Sequence, residues 1–247
     1  MNYDSNPANE LLKCSQSLVY FANNYIKIIH PSYGEMLFKA RDNQNGLFRR
    51  FQNKENVVVK STRVSGISTC QAIYALWLGV FRNNKNIILC SVKKSRAEDI
   101  IENVKEMYEK LPVWIKPAVN VYRNSEIGFK NGSKISVAPY SSHVLRGIES
   151  DSLVICDSFA FVDQKIEKEF WASTHLIQRL GQVIVSSSTN GANNKFFDLY
   201  TYSDDSVFSK FNISWDRIPG RDKKWKETMI KQMGQCCFDQ EYSGKFI

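Results

Sequence analysis

Between residues 62 and 69 the chain reads Thr62-Arg63-Val64-Ser65-Gly66-Ile67-Ser68-Thr69. A β-branched run, Val57 to Lys60, precedes this segment, and a long apolar segment from Cys70 to Phe81 follows it. Strand, tight loop and helix in that order make a phosphate-binding loop, because the free amides at a helix N-terminus face the anion. Such a Walker A loop carries a lysine between its last glycine and the Ser/Thr pair, where an ammonium neutralises the β- and γ-phosphates. Here that place holds Ile67. Two readings stay open at this point: an ordinary strand-to-helix turn, or a nucleotide site that has lost its main charge.

The flanking sequence supplies more of the same architecture. Asn56 to Lys60 is a strand and Ser68 to Phe81 a helix; Ile87 to Ser91 is an apolar run of the kind a strand buried on both faces shows. A helix from Ala97 to about Leu111 follows, then further buried strands at Leu153 to Asp157 and Gln182 to Ser186. Alternating buried strands and helices predict an α/β domain with a mostly parallel sheet. Asp157 ends an apolar strand, at the edge where open α/β sheets bind ligands, which is the Walker B position for a magnesium-holding carboxylate. Ser186 to Gly191 is a hydroxyl-rich strand end closing on Asn190-Gly191. Gln44, ahead of the first core strand, has the paired amide donor and acceptor that match an adenine edge.

The remaining segments read more weakly. Apolar spacing over Asn9 to Ile29 predicts two short helices, then a loop around His30 to Gly34 and a helix at Leu47 to Phe51. Ile127 to Val137 predicts a hairpin turning on Asn131-Gly132. Asn194 to Tyr202 reads as a helix, Phe208 to Trp215 as a strand and Asp222 to Met233 as a helix.

The chain has 247 residues and a formal charge of +8, a basic surplus that suits a polyanion such as nucleic acid. The three histidines are scattered and the six cysteines lack paired metal-ligand spacing, so zinc is not expected and the cysteines read as reduced core residues. No apolar run approaches the roughly 18 residues a membrane span needs, and Met1 to Glu10 is polar. The expected location is the cytoplasm, with no membrane association.

Taken in order, these segments resemble the ATPase domain of the large terminase subunit of tailed bacteriophages. Arg41-Asp42-Asn43-Gln44 is similar to its adenine motif, Ser61 to Thr69 to its Walker A loop with an arginine inside it, and Ile87 to Lys94 to the next strand and its basic exit. Leu145-Arg146-Gly147 and Leu153 to Phe161 resemble the approach to Walker B and its continuation, and Ser186 to Gly191 the coupling motif. Pro219 to Trp225 and Phe238 to Tyr242 resemble the stretch where that domain ends.

The resemblance implies a P-loop NTPase core of the additional-strand type over about residues 41–204. It also implies a small lid subdomain from about 1–40 and 205–247, with no nuclease domain within residues 1–247. ATP and magnesium are the implied ligands. Gln44, Thr62, Arg63, Gly66, Ile67, Ser68, Thr69, Ser187, Ser188 and Asn190 would bind the nucleotide, and Ser68 with Asp157 the metal. Arg63, Asp157 and Ser158 would occupy catalytic positions. Lys93, Lys94 and Arg96 are candidates for phosphate contacts with double-stranded DNA. Implied partners are the portal protein, the small terminase subunit and further copies of the chain in a ring.

Two departures remove chemistry. Ile67 replaces the phosphate-binding lysine, and an ammonium about 4 Å from a phosphate charge is worth roughly 4 kcal/mol at an effective dielectric of 20. Ser158 follows Asp157 where the family has a glutamate that acts as general base, a role a serine lacking a carboxylate does not fill. Arg63 or Lys60 are candidates to replace the charge, and Asp163, Glu167 or Glu169 to replace the base. The functional expectation is a DNA-packaging ATPase motor domain with weakened nucleotide chemistry; the alternative is a pseudo-ATPase serving as a DNA-binding or regulatory scaffold.

Overall fold

A computed structural model describes residues 6–30, 34–141, 143–148 and 151–247. The expected loop at Pro31 to Tyr33 and the first five residues lie outside the described residues.

The chain begins with α1 (Pro7–Gln16), whose first turn is capped by the Asn6 side chain accepting from Ala8 N at 3.0 Å, with proline at the position where a missing N–H costs nothing. Ser17 ends α1 and caps α2 (Leu18–Tyr25) through its hydroxyl. Glu10 holds the two helices together, accepting from Lys13 Nζ at 2.8 Å, Tyr20 OH at 2.7 Å and Tyr25 OH at 2.6 Å. These donors, Lys13 first, then Tyr25 and Tyr20, pull its carboxyl from the ordinary 4.5 down to about 2. A folded-state value below the unfolded one means that the stability from Glu10 is complete above about pH 4.5 and disappears as the pH falls towards 2. Glu10→Gln is therefore expected to lower the urea midpoint at pH 7 and to cost progressively less below pH 4.5; a pH-independent difference would contradict this origin.

Helix stops at Tyr25, earlier than the apolar spacing predicts, because β1 (Lys27–His30) pairs antiparallel with β2 (Gly34–Leu37). The adjacent β-branched Ile28 and Ile29 suit the pleated ribbon, and Ile29 faces solvent. Next come α3 (Asp42–Gln52), β3 (Val57–Ser61), α4 (Ile67–Phe81), β4 (Asn86–Ser91) and α5 (Lys94–Glu109). Every residue of α4 from Cys70 to Val80 is buried, as its all-round apolar sequence requires. β5 (Val119–Arg123), β6 (Glu126–Phe129) and β7 (Lys134–Pro139) form an antiparallel end to the sheet, with Gly132 at φ +82° in the tight turn. β8 (Leu153–Asp157), α6 (Gln164–Ala172), α7 (His175–Leu180), β9 (Gln182–Ser187) and α8 (Lys195–Tyr202) follow. β10 (Ser209–Ile213), α9 (Lys223–Met233) and α10 (Gln235–Phe238) complete the order.

The eight-stranded sheet runs β10-β3-β9-β8-β4-β7-β6-β5, with every pair from β10 to β7 parallel. This is the expected α/β, P-loop NTPase architecture, with β9 inserted between the loop strand β3 and the aspartate strand β8. Both faces are covered: Val57 and Val59 enter one apolar cluster with α4, while Val58 enters the other with Phe159 and Phe170. Of the segments assigned to a lid, α1 and α2 join the same core as α4, and β10 lies in the main sheet beside β3. All six cysteines are free; Cys14, Cys70, Cys90 and Cys156 are buried as expected, whereas Cys236 and Cys237 are exposed on α10, where only Phe238 is buried. Among the described residues no helix is long and apolar enough to cross a membrane.

Candidate functional site

Two left-handed residues turn β3 into α4: Val64 at φ +55° and Gly66 at φ +80°. Val64 is strained, since a β-branched side chain disfavours this region. Gly66 is required, because a Cβ there would lie 2.9 Å from Gln44 Nε2 and 3.4 Å from Arg41 Nη2. Cys70 N is the first amide to bond back into the helix, to Gly66 O at 3.1 Å, so those of Ile67, Ser68 and Thr69 have no partner within it. They give the cleft a positive pole.

Two arginines hold the loop from outside. Arg41 Nη2 donates to Ser65 O. Arg221 donates to Thr62 Oγ1 at 3.1 Å and to Arg63 O at 2.8 Å, with its guanidinium over Trp225 and Tyr242. Backbone bonds from Thr62 N to Ile213 O (2.9 Å) and from Arg63 N to Glu241 O (3.1 Å) tie the same residues to the chain's distal segment.

The loop borders a cleft of about 610 Å³ at the C-terminal ends of β3, β8 and β9. Asp157 lies on its floor, 4% exposed. Its carboxylate accepts from three hydroxyls: Ser68 Oγ at 3.1 Å, Ser158 Oγ at 3.0 Å and Ser91 Oγ at 3.4 Å. Tyr140 OH fixes the strand end by donating to Asp157 O at 2.9 Å. Ser65 Oγ, buried beside the loop, has no hydrogen-bond partner. A carboxylate facing hydroxyls is a set of hard oxygen donors, which suits magnesium. Among the described residues no group of three or more His, Cys, Asp or Glu could hold a metal ion.

Thr62, Arg63, Gly66, Ile67, Ser68, Thr69, Asp157, Ser158, Ser187 and Ser188 all line this cleft. Gln44 does not. It sits inside α3, 4% exposed, its Oε1 accepting from Arg41 N at 3.0 Å and its Nε2 beneath Gly66. The helix begins at Asp42, earlier than the predicted Leu47, because Gln44 turns back onto Arg41 N. Asn190 is also outside the lining, donating to Ala160 O at 2.9 Å. Lys60 lies under the rings of Tyr200 (4.6 Å) and Phe246 (5.5 Å), where burial pushes its pKa down. Asp163 caps α6, Glu167 accepts from Lys195 N at 2.7 Å, and neither these nor Glu169 lines the cleft. Lys93 and Lys94 are exposed outside the lining, whereas Arg96 is part of it.

Sequence reasoning missed Glu241, whose carboxylate lines the cleft 3.8 Å from Arg63 Nε and 3.5 Å from Ser188 Oγ. It missed Arg221 for the same reason: neither lies in a local pattern that marks a site. A second hollow of about 860 Å³ adjoins the loop through Arg41 and Arg221, with Asn43, Arg217 and Ile218 in its wall. Two donors here, Arg41 Nε and Asn43 Nδ2, are buried without partners.

A family model described as terminase large subunit, T4-like-virus type, N-terminal, matches residues 61–247. The fold is similar to the ATPase domain of a Thermus phage large terminase, with a TM-score of 0.67 at 21% identity over 85% of this chain and 95% of that one. The HK97 bacteriophage large terminase gives 0.65 at 13% identity, over 87% of this chain and 47% of that one. A large terminase of a thermophilic bacteriophage, solved with ATP-γ-S, gives 0.60 at 14% identity over 96% and 52%. At these identities the structural likeness is one of fold, and the chain spans about half of the latter two proteins.

Proposed function

Because the chain belongs to the terminase large subunits of the T4-like type, in their N-terminal part, we propose that it is a DNA-packaging ATPase domain that binds magnesium nucleotide but hydrolyses it poorly. The observation that carries this is the bond from Ser68 Oγ to Asp157 Oδ1 across the mouth of an α4 N-terminus whose first amides are free. Phosphates would lie against the amides of Ile67 to Thr69, with Ser68 and Asp157 holding magnesium. When bound, the ion supplies charge neutralisation between the phosphates. The base would occupy the neighbouring hollow, where Arg41 Nε and Asn43 Nδ2 offer donors, with Gln44 bracing the loop from below. Arg63 would meet the terminal phosphate after exchanging its 3.8 Å contact with Glu241.

Ser158 gives a second reading, a domain that binds without hydrolysing. Its hydroxyl donates to Asp157 and offers no carboxylate to an attacking water. Under both readings the substrate on which the assembly acts is double-stranded DNA, in the company of a portal protein, a small terminase subunit and further copies of the chain.

Thermal unfolding with magnesium ATP tests the binding step. At ten times the dissociation constant a stabilisation of about 1.4 kcal/mol, roughly 3–6 °C, is expected. Asp157→Ala should remove the magnesium dependence of that shift. A flat response at millimolar nucleotide counts against the proposal, and phosphate release with and without DNA separates the two readings.

A further inference from the structure

We propose that Arg96, from the first turn of α5, supplies the positive charge that the loop lacks at Ile67. This rests on the nucleotide reading of the cleft. α5 follows β4, which neighbours β8, so its N-terminal turn opens at the same sheet edge as Asp157. Among the three basic residues there, Lys93, Lys94 and Arg96, only Arg96 lines the cleft. Its ion pair with Asp99 is long, 3.7 Å, and both side chains are more than half exposed, so the guanidinium is easily redirected.

The other nearby cations have roles of their own. Arg41 and Arg221 donate to loop carbonyls and Lys60 is covered by two rings, while Arg63, 3.8 Å from the Glu241 carboxylate, is reserved for the terminal phosphate and acts beside Arg96 as a second cation. A guanidinium presents a planar fork of donors that matches two phosphate oxygens at once, so an arginine entering from a neighbouring helix can replace an ammonium on the loop itself. The cleft then keeps a phosphate cation although Ile67 is apolar.

The test is calorimetric titration of magnesium ATP, magnesium ADP and AMP into the protein, Arg96→Ala, Arg96→Lys, Ile67→Lys and the Ile67→Lys/Arg96→Ala double variant, with duplex DNA binding measured in parallel. Arg96→Ala is expected to weaken ATP on the order of tenfold, to leave AMP nearly unchanged and so to narrow the ATP-over-AMP preference. Arg96→Lys, which keeps the charge but loses the fork, should fall between the parent and Arg96→Ala, and Ile67→Lys should recover affinity in the Arg96→Ala background. Equal weakening of AMP and ATP, or lost DNA binding with ATP affinity intact, overturns the assignment. A parent protein that binds none of the three nucleotides removes the nucleotide reading itself, a result distinct from a parent that binds ATP and is indifferent to Arg96.

Discussion

Restoring both absent groups at once, Ile67→Lys with Ser158→Glu, is expected to raise magnesium ATP turnover by at least about 10²-fold, with each single change giving far less. Ser158→Glu supplies a general base, worth about 10²–10⁴, and Ile67→Lys adds a cation on the loop itself beside the one Arg96 supplies from α5; groups that act as a unit are strongly non-additive. The structure accepts both side chains. Ile67 is the first residue of α4, partly buried at the cleft wall, and the aliphatic stem of a lysine covers the same apolar surface while its ammonium reaches the cleft. Ser158 has φ +58°, so the backbone strain is already present and an unbranched glutamate adds little to it. What is lost is the 3.0 Å hydroxyl bond to Asp157, replaced by a second carboxylate that raises local negative charge and strengthens the demand for a cation. Steady-state phosphate release from the parent, both singles and the double decides the matter. Equal rates for parent and double would show that the cleft lacks more than these two groups.

Trp77→Ala is expected to destabilise the fold by about 3–5 kcal/mol, the cost of deleting a buried aromatic ring. Trp77 is 2% exposed at the centre of α4 and stacks on Tyr74 at 6.2 Å between centroids. The Arg82 guanidinium lies 4.5 Å from its ring, and its indole Nε1 donates to Cys14 O at 2.8 Å, joining α4 to α1. Truncation therefore opens a cavity and also leaves a buried carbonyl without its donor. Urea unfolding with an unchanged m-value measures the loss, and a cost under about 1 kcal/mol would mean that the helices repack around the gap.

The strands that read well from sequence are those whose two faces meet the same environment. Ile87 to Cys90, Leu153 to Cys156 and Val183 to Val185 are continuous apolar runs because helices cover both sides of the sheet, and no register question disguises them. β5 was not foreseen, because an edge strand leaves Asn120, Tyr122 and Arg123 to solvent and its local sequence looks like loop. β1 was hidden by Ile28 and Ile29, which fit a helical stripe as well as a ribbon.

The site divides along the same line. Residues in one short segment, such as Thr62 to Thr69, or at a strand end, such as Asp157 and Ser187, reached the cleft because local geometry alone delivers them. Gln44 was recognisable but its bracing role was not, since that role depends on where Gly66 comes to rest. Arg221 and Glu241 meet the loop only through the tertiary closure of the sheet by β10.

That closure governs the order in which the molecule can be made. Arg221 bonds to Thr62 and Arg63 across sequence separations of 159 and 158 residues, and Thr62 N and Arg63 N await Ile213 and Glu241. Contacts that distant pay a large loop-closure entropy before they give anything back, so they form late and slowly. During synthesis the loop's Thr62 and Arg63 emerge before Arg221, which follows 159 and 158 residues later. The phosphate-facing loop thus leaves the ribosome well ahead of the arginine that fixes its final shape.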